Sequence, residues 1–168
     1  QRFDQLTGKF EILKEIPSAE YNSIGVYDEY MLKVILRKLK EKTSKPQMIM
    51  AMTTTNHPPL DIPKHAQIPA LPEGFYSKPC FNNVGEDVVE KYLRAFQYFN
   101  TCLTQFLDEF KKSEAAKNTI LILTGFHFQF EEPAHHRVVP EVVNVCARTA
   151  WLQCYHLLFC FGIEGVAE

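Results

Sequence analysis

The stretch from Glu86 to Lys112 constrains this chain more than any other. Val89, Tyr92, Leu93, Phe96, Phe99, Leu103, Phe106, Leu107 and Phe110 recur at helical spacing, with no Pro or Gly in the segment. Such a stripe predicts a long amphipathic helix that must lie on a large apolar surface. Glu86 and Asp87 fall in its first turn and Lys111 and Lys112 in its last, the charge order a helix dipole favours. The Phe residues at 96, 99, 106 and 110 follow that spacing and read as core rather than as a ligand box.

The rest of the chain supplies partners for this helix. Gln47 to Thr53 (QMIMAMT) and Thr119 to Thr124 (TILILT) are short, nearly continuous apolar runs, expected as buried strands. Tyr27 to Lys42 predicts a second helix, with Tyr27, Met31, Val34, Ile35 and Leu39 on its apolar face. Residues 1–26 have weak periodicity and read as loop with a short helix. Thr54 to Val84 contains prolines at 58, 59, 63, 69, 72 and 79, which excludes helix or central strand and leaves a long ordered loop. Loops of that length inside a compact domain often carry function. Helix, strand, long loop, helix, strand is the order of an α/β domain with parallel strands and crossover helices.

Composition narrows the function classes. The 168 residues suffice for one domain, and a net charge of -2 gives no reason to expect a nucleic-acid partner. The five cysteines form no C-x-x-C pair, so plain buried thiols are expected rather than a zinc site or a disulfide framework. The apolar stretch from Ala150 to Ile163 is interrupted by Gln153 and His156, and is shorter than the roughly 20 residues of a membrane span. Gln1 opens no signal-peptide pattern and is not an initiator Met, which suggests a chain cut from something longer.

Chemistry is expected at the strand ends. In open parallel sheets ligands bind beyond the carboxyl ends of the strands. Thr53-Thr54-Thr55-Asn56-His57-Pro58-Pro59 follows the first strand and Thr124-Gly125-Phe126-His127 the second. Each puts a histidine just past a strand. A neutral imidazole binds metals, and an imidazolium holds a phosphate or sulfate oxygen. His135 and His136, near Glu131 and Glu132, are a poorer metal cluster, because adjacent side chains point in different directions.

These segments, in this order, resemble a known family. Gly25-Val26-Tyr27-Asp28-Glu29-Tyr30 resembles the helix start of lipoteichoic-acid-synthase-like phosphoglycerol transferases and their sulfatase relatives, in the alkaline phosphatase superfamily. Met50 to Pro59 resembles that family's strand and T-x-x-x-H-x-P turn. Tyr92 to Gly125 resembles the long helix and strand leading to its T-G-D-H motif. The resemblance covers about residues 20–127.

The resemblance implies a fragment of an alkaline-phosphatase-like α/β sandwich. It implies a two-step transfer in which a metal-activated nucleophile (threonine, or a modified cysteine or serine) attacks phosphorus or sulfur. The substrate would be a sulfate ester or a phospholipid headgroup. The cofactor would be a divalent metal: manganese, magnesium or calcium. His57 would contact the transferred anionic group, and His127 would be the histidine of an Asp-His metal pair. The parent protein is expected in the cell envelope, facing outside the cytoplasm behind membrane helices, with membrane lipid as a partner.

Departures from the pattern limit what this chain is expected to do. Phe126 stands where the family carries the metal-binding Asp, and a phenyl ring cannot coordinate a hard cation. The family's nucleophile and first acidic ligand lie upstream of the segment matching Gly25, and Thr53, Thr54 and Thr55 do not take that place. The chain alone is therefore expected to be inactive. The alternative is a non-catalytic remnant or binding module that keeps the fold.

Beyond His127 the resemblance stops, which divides the chain into a partial sulfatase-like domain (1–127) and a divergent tail (128–168). Every lysine lies at or before Lys117, and the last Asp is Asp108, whereas Trp151 and three of the cysteines follow residue 145. Two readings stay open: a frameshift near residue 126, or a genuine divergent tail.

Overall fold

The computed structural model describes residues 3–41, 43–70, 73, 86–125 and 156–162. Three α-helices run Lys9–Glu15 (α1), Asp28–Lys40 (α2) and Glu86–Lys111 (α3), and three strands run Met48–Met52 (β1), Thr119–Gly125 (β2) and His156–Gly162 (β3). A 3-10 turn at Glu114–Asn118 joins α3 to β2. The two expected helices and two expected strands form within two residues of the ends read from the sequence.

The helical layer holds the core. Ala95, Tyr98, Phe99, Cys102, Leu103, Phe106 and Phe110 of α3 are buried. The stripe is rotated from the expected one: Tyr92 is exposed and Phe96 half-buried, while Tyr98 and Cys102 are inside. Every fourth or third residue from Ala95 fits one face, and Tyr92 sits at its margin. Each fully buried Phe there stabilises by about 2 kcal/mol relative to exposure.

On α2, Leu32 and Leu36 are buried along with Tyr30, Val34 and Ile35. The helix is therefore covered on more than the single face that its periodicity marks. It lies between α1 and α3. Arg37 ties α1 to α2 through both carboxylate oxygens of Glu15, at 2.5 and 2.6 Å.

The sheet order is β1-β3-β2. β1 and β2 run in the same direction, with α3 between them in the chain, but they do not pair with each other. β3 lies between them and pairs antiparallel with each. β1 and β2 are thus parallel to each other, as the order of elements predicts, but the ladders of the described residues are the antiparallel ones each makes with β3. The entry of β3 between them was not expected from the sequence. Strand direction is a property of the chain path that a single apolar run does not encode.

Alternation along β1 divides the two faces. Ile49 and Ala51 pack on the helical core together with Leu121 of β2. Met48, Met50, Met52, Ile120 and Ile122 point to the opposite face and are exposed. Among the described residues, no helix is long and apolar enough to cross a membrane.

Candidate functional site

The C-terminal ends of β1 and β2 lie on one edge of the sheet. Met52 and Thr124 both register with Leu157 of β3. They are two strand spacings apart, roughly 10 Å. The loop that leaves β1 at this edge carries the polar run Thr53 to His57.

That loop is fixed by a buried carboxylate. Asp28, the first residue of α2, is 0% exposed. Its Oδ1 accepts from the Thr54 amide at 2.7 Å and its Oδ2 from the Thr55 amide at 3.1 Å. The Thr54 hydroxyl donates to the Val26 carbonyl at 2.8 Å. Gly25 allows this approach, since a Cβ there would come within 3.3 Å of Thr54 Cγ2. Burial pushes the Asp28 carboxyl up, and the hydrogen bonds from Thr54 and Thr55 oppose that shift.

The next turn presents His57. Its amide donates to the Thr54 carbonyl at 3.0 Å, and Leu60 N donates to the His57 carbonyl at 2.9 Å. Leu60 has φ 63, a left-handed conformation, which costs a side-chain-bearing residue about 1 kcal/mol. The Pro58-Pro59 peptide bond is cis. His57 is half-buried. Its Nδ1 lies 3.0 Å from the Pro58 carbonyl oxygen and donates to it. In the neutral ring that contact puts the lone pair on Nε2.

Asn56, beside it, is 3% exposed, and among the described residues neither its amide nitrogen nor its oxygen has a hydrogen-bond partner. The buried Thr53 hydroxyl is likewise without a partner among the described residues. An unpaired buried polar group of this kind costs about 1–3 kcal/mol.

A second cluster anchors the same loop further on. His65 places Nδ1 2.5 Å from Glu20 Oε1 and Nε2 2.9 Å from Glu29 Oε1. The Lys64 amide donates to Glu20 Oε2 at 3.3 Å. The hydrogen bond to Glu20 raises the His65 pKa, and the same bond lowers that of Glu20. The two ring nitrogens diverge, so this trio cannot surround one cation. Asp28 already has both oxygens committed to the loop. Among the described residues no group of three or more His, Cys, Asp or Glu fits a divalent metal.

Sequence reasoning reached His57 and placed it correctly at the end of β1. His127, expected as a metal ligand, lies outside the described residues, as do Phe126, His135 and His136. Asp28 was legible only as an acidic residue at a helix start. Its reach to a loop 26 residues away is tertiary. Asn56 and the Glu20–His65–Glu29 cluster carried no local signal at all. Cys102, expected as a plain thiol, is buried and free. Burial pushes its pKa up to about 11, and the hydrogen bond with Tyr98 opposes that shift.

Fold and site define an α/β domain with a polar loop clamped at a strand end. The family model named Sulfatase matches residues 1–140, past the point where the resemblance read from the sequence stopped. The chain belongs to the Sulfatase family. That family acts on sulfate esters and generally uses a divalent metal. No curated protein and no solved structure matches the chain significantly.

Proposed function

We infer that this chain is part of a metal-dependent enzyme acting on sulfate esters or phospholipid headgroups. In this reading His57 contacts the sulfate or phosphate group of the substrate, and His127 is a metal ligand. The observation that carries it is the Asp28-fixed turn, which holds His57 at the sheet edge beside a buried Asn56 whose side chain has no partner among the described residues. As an imidazolium, His57 can donate from Nε2 to a small oxyanion while Nδ1 keeps the Pro58 carbonyl, and an amide such as that of Asn56 can donate to the same group. Phe126 removes a carboxylate from the family's metal pair, so the chain alone does not turn over substrate. The metal would be manganese, magnesium or calcium, and the parent protein would work in the cell envelope.

A titration of the full chain with inorganic sulfate and phosphate, followed by the His57 ring resonances, tests the binding. The expected result is saturable shifts that disappear in His57→Ala. No shift up to tens of millimolar would remove the reading. Hydrolysis of nitrophenyl sulfate and phosphate, with and without each metal, separates enzyme from remnant. Turnover that is lost in His127→Ala would show that the chain is active after all.

The division at residue 127 belongs to the same reading. The pairing of β3 with both β1 and β2 supports a genuine tail over a frameshift. Translation of the gene in the other two frames decides: an Asp-His followed by a family-like strand would restore the frameshift.

A further inference from the structure

The loop that carries His57 is pinned eight residues later by a histidine between two glutamates. His65 sits on a segment whose apolar neighbours already reach inward: Pro63 is fully buried, and Ile62 and Ala66 pack on the core. The polar half of the attachment is the trio of His65, Glu20 and Glu29. Glu20 precedes the isolated bridge between Tyr21 and Val26, and Glu29 is in the first turn of α2. Through them the loop is held to the helix whose first residue, Asp28, fixes the other end of the same loop.

The geometry states what protonation this clamp needs. Carboxylate oxygens only accept: Nδ1 makes a 2.5 Å hydrogen bond to Glu20 Oε1, while Nε2 lies 2.9 Å from Glu29 Oε1 as a charge contact outside hydrogen-bond geometry. A neutral imidazole has a single N–H, so one of its nitrogens would point a lone pair at a carboxylate oxygen. The imidazolium keeps the Glu20 hydrogen bond and attracts both carboxylates, whereas the neutral ring keeps only the hydrogen bond.

We propose that His65 is a positioning residue whose proton holds the His57 loop on α2, so that the strand-end site is firm when His65 is charged and loosens when it is neutral. The proposal rests on the reading of His57 as an anion-binding residue.

The neighbouring titratable and charged groups do not replace it. Tyr30 and Lys33 on α2, Tyr27, Asp61 and Lys64 around Glu20, and Tyr98 and Cys102 on α3 face the trio or its carboxylates. The three phenols and the thiol are all pushed up, away from neutrality. The direction for His65 is also up, so its hold is complete below the ordinary histidine value of about 6.5 and disappears as the pH rises through its raised value. On the acid side the pair is lost as the pH falls through the lowered value of Glu20.

The test uses the full chain between pH 5.5 and 8.5. Long-range nitrogen–proton NMR of the histidine rings should show both His65 nitrogens protonated at the acid end, with a midpoint above that of a free histidine. Glu20→Gln should bring that midpoint down. Amide protection factors of residues 57–66 should fall as the pH rises from 6 to 8. In His65→Gln they should be low and flat with pH. A His65 midpoint at or below 6.5 would overturn the proposal. So would wild-type protection independent of pH, or His65→Gln protection equal to wild type. Inorganic sulfate tells the two readings apart. If protection follows the His65 proton but sulfate never perturbs His57, the clamp stands and the anion-binding reading fails. If sulfate binds with the same affinity and pH profile in His65→Gln, the clamp has no hold on the site and the proposal fails.

Discussion

The two faces of the sheet are cut from the same apolar runs, yet they do different things. Ile49, Ala51 and Leu121 reach the helices and join the core. Met48, Met50, Met52, Ile120 and Ile122, one residue out of step, are exposed. Apolar character does not separate the two sets. What separates them is where α2 and α3 pass, and the site follows the helices. Asp28 and Glu29 come from α2, so the loop after β1 is anchored to the helical side of the sheet and owes nothing to the other.

This contrast can be broken or sharpened by substitution. The largest effect belongs to the middle of the helical layer. Phe99→Ala should destabilise by about 4 kcal/mol, read as a lower urea midpoint. That is a large share of the total stability of an ordinary domain. Next comes Asp28→Ala, which leaves the Thr54 and Thr55 amides without acceptors and should cost about 3 kcal/mol. The His57 turn should then lose amide protection before the rest of the chain unfolds.

Smaller again is the pair that tests the faces directly. Ile49→Ala should cost about 2 kcal/mol and Met50→Ala less than about 1 kcal/mol, since Met50 is already 47% exposed. Equal losses would break the contrast and mean that the outer face is covered in solution. The smallest effect on stability is expected at His65. Its side chain is 50% exposed, so solvent and salt screen the clamp. High salt should weaken the protection of residues 57–66 while leaving the Asp28 contacts intact, because those are buried.

Much of the frame was legible in advance. The long helix, the shorter one and both strands follow from local rules of period, proline placement and end charge. His57 was found because a polar run with a histidine directly follows an apolar strand. The rotation of the α3 stripe was not legible. Tyr92 and Tyr98 are the same residue type, so side-chain character could not say which of them is buried. The side on which the helix meets α2 decided between them. The Glu20–His65–Glu29 trio was invisible for a related reason. Its members lie 9 to 45 residues apart, and nothing in a local window links them.

The amino-acid sequence by itself determined the helices α2 and α3, the strands β1 and β2, where the proline-rich loop begins, and that a histidine follows a strand end. Those are short-range matters of backbone preference and hydrophobic period. The tertiary structure alone decided that β3 enters between β1 and β2, which sheet face is covered, and that a buried Asp28 fixes the His57 turn. It also brought His65 between two carboxylates. Each of these depends on groups distant in the chain meeting in space, where burial and charge act through distance and not through order.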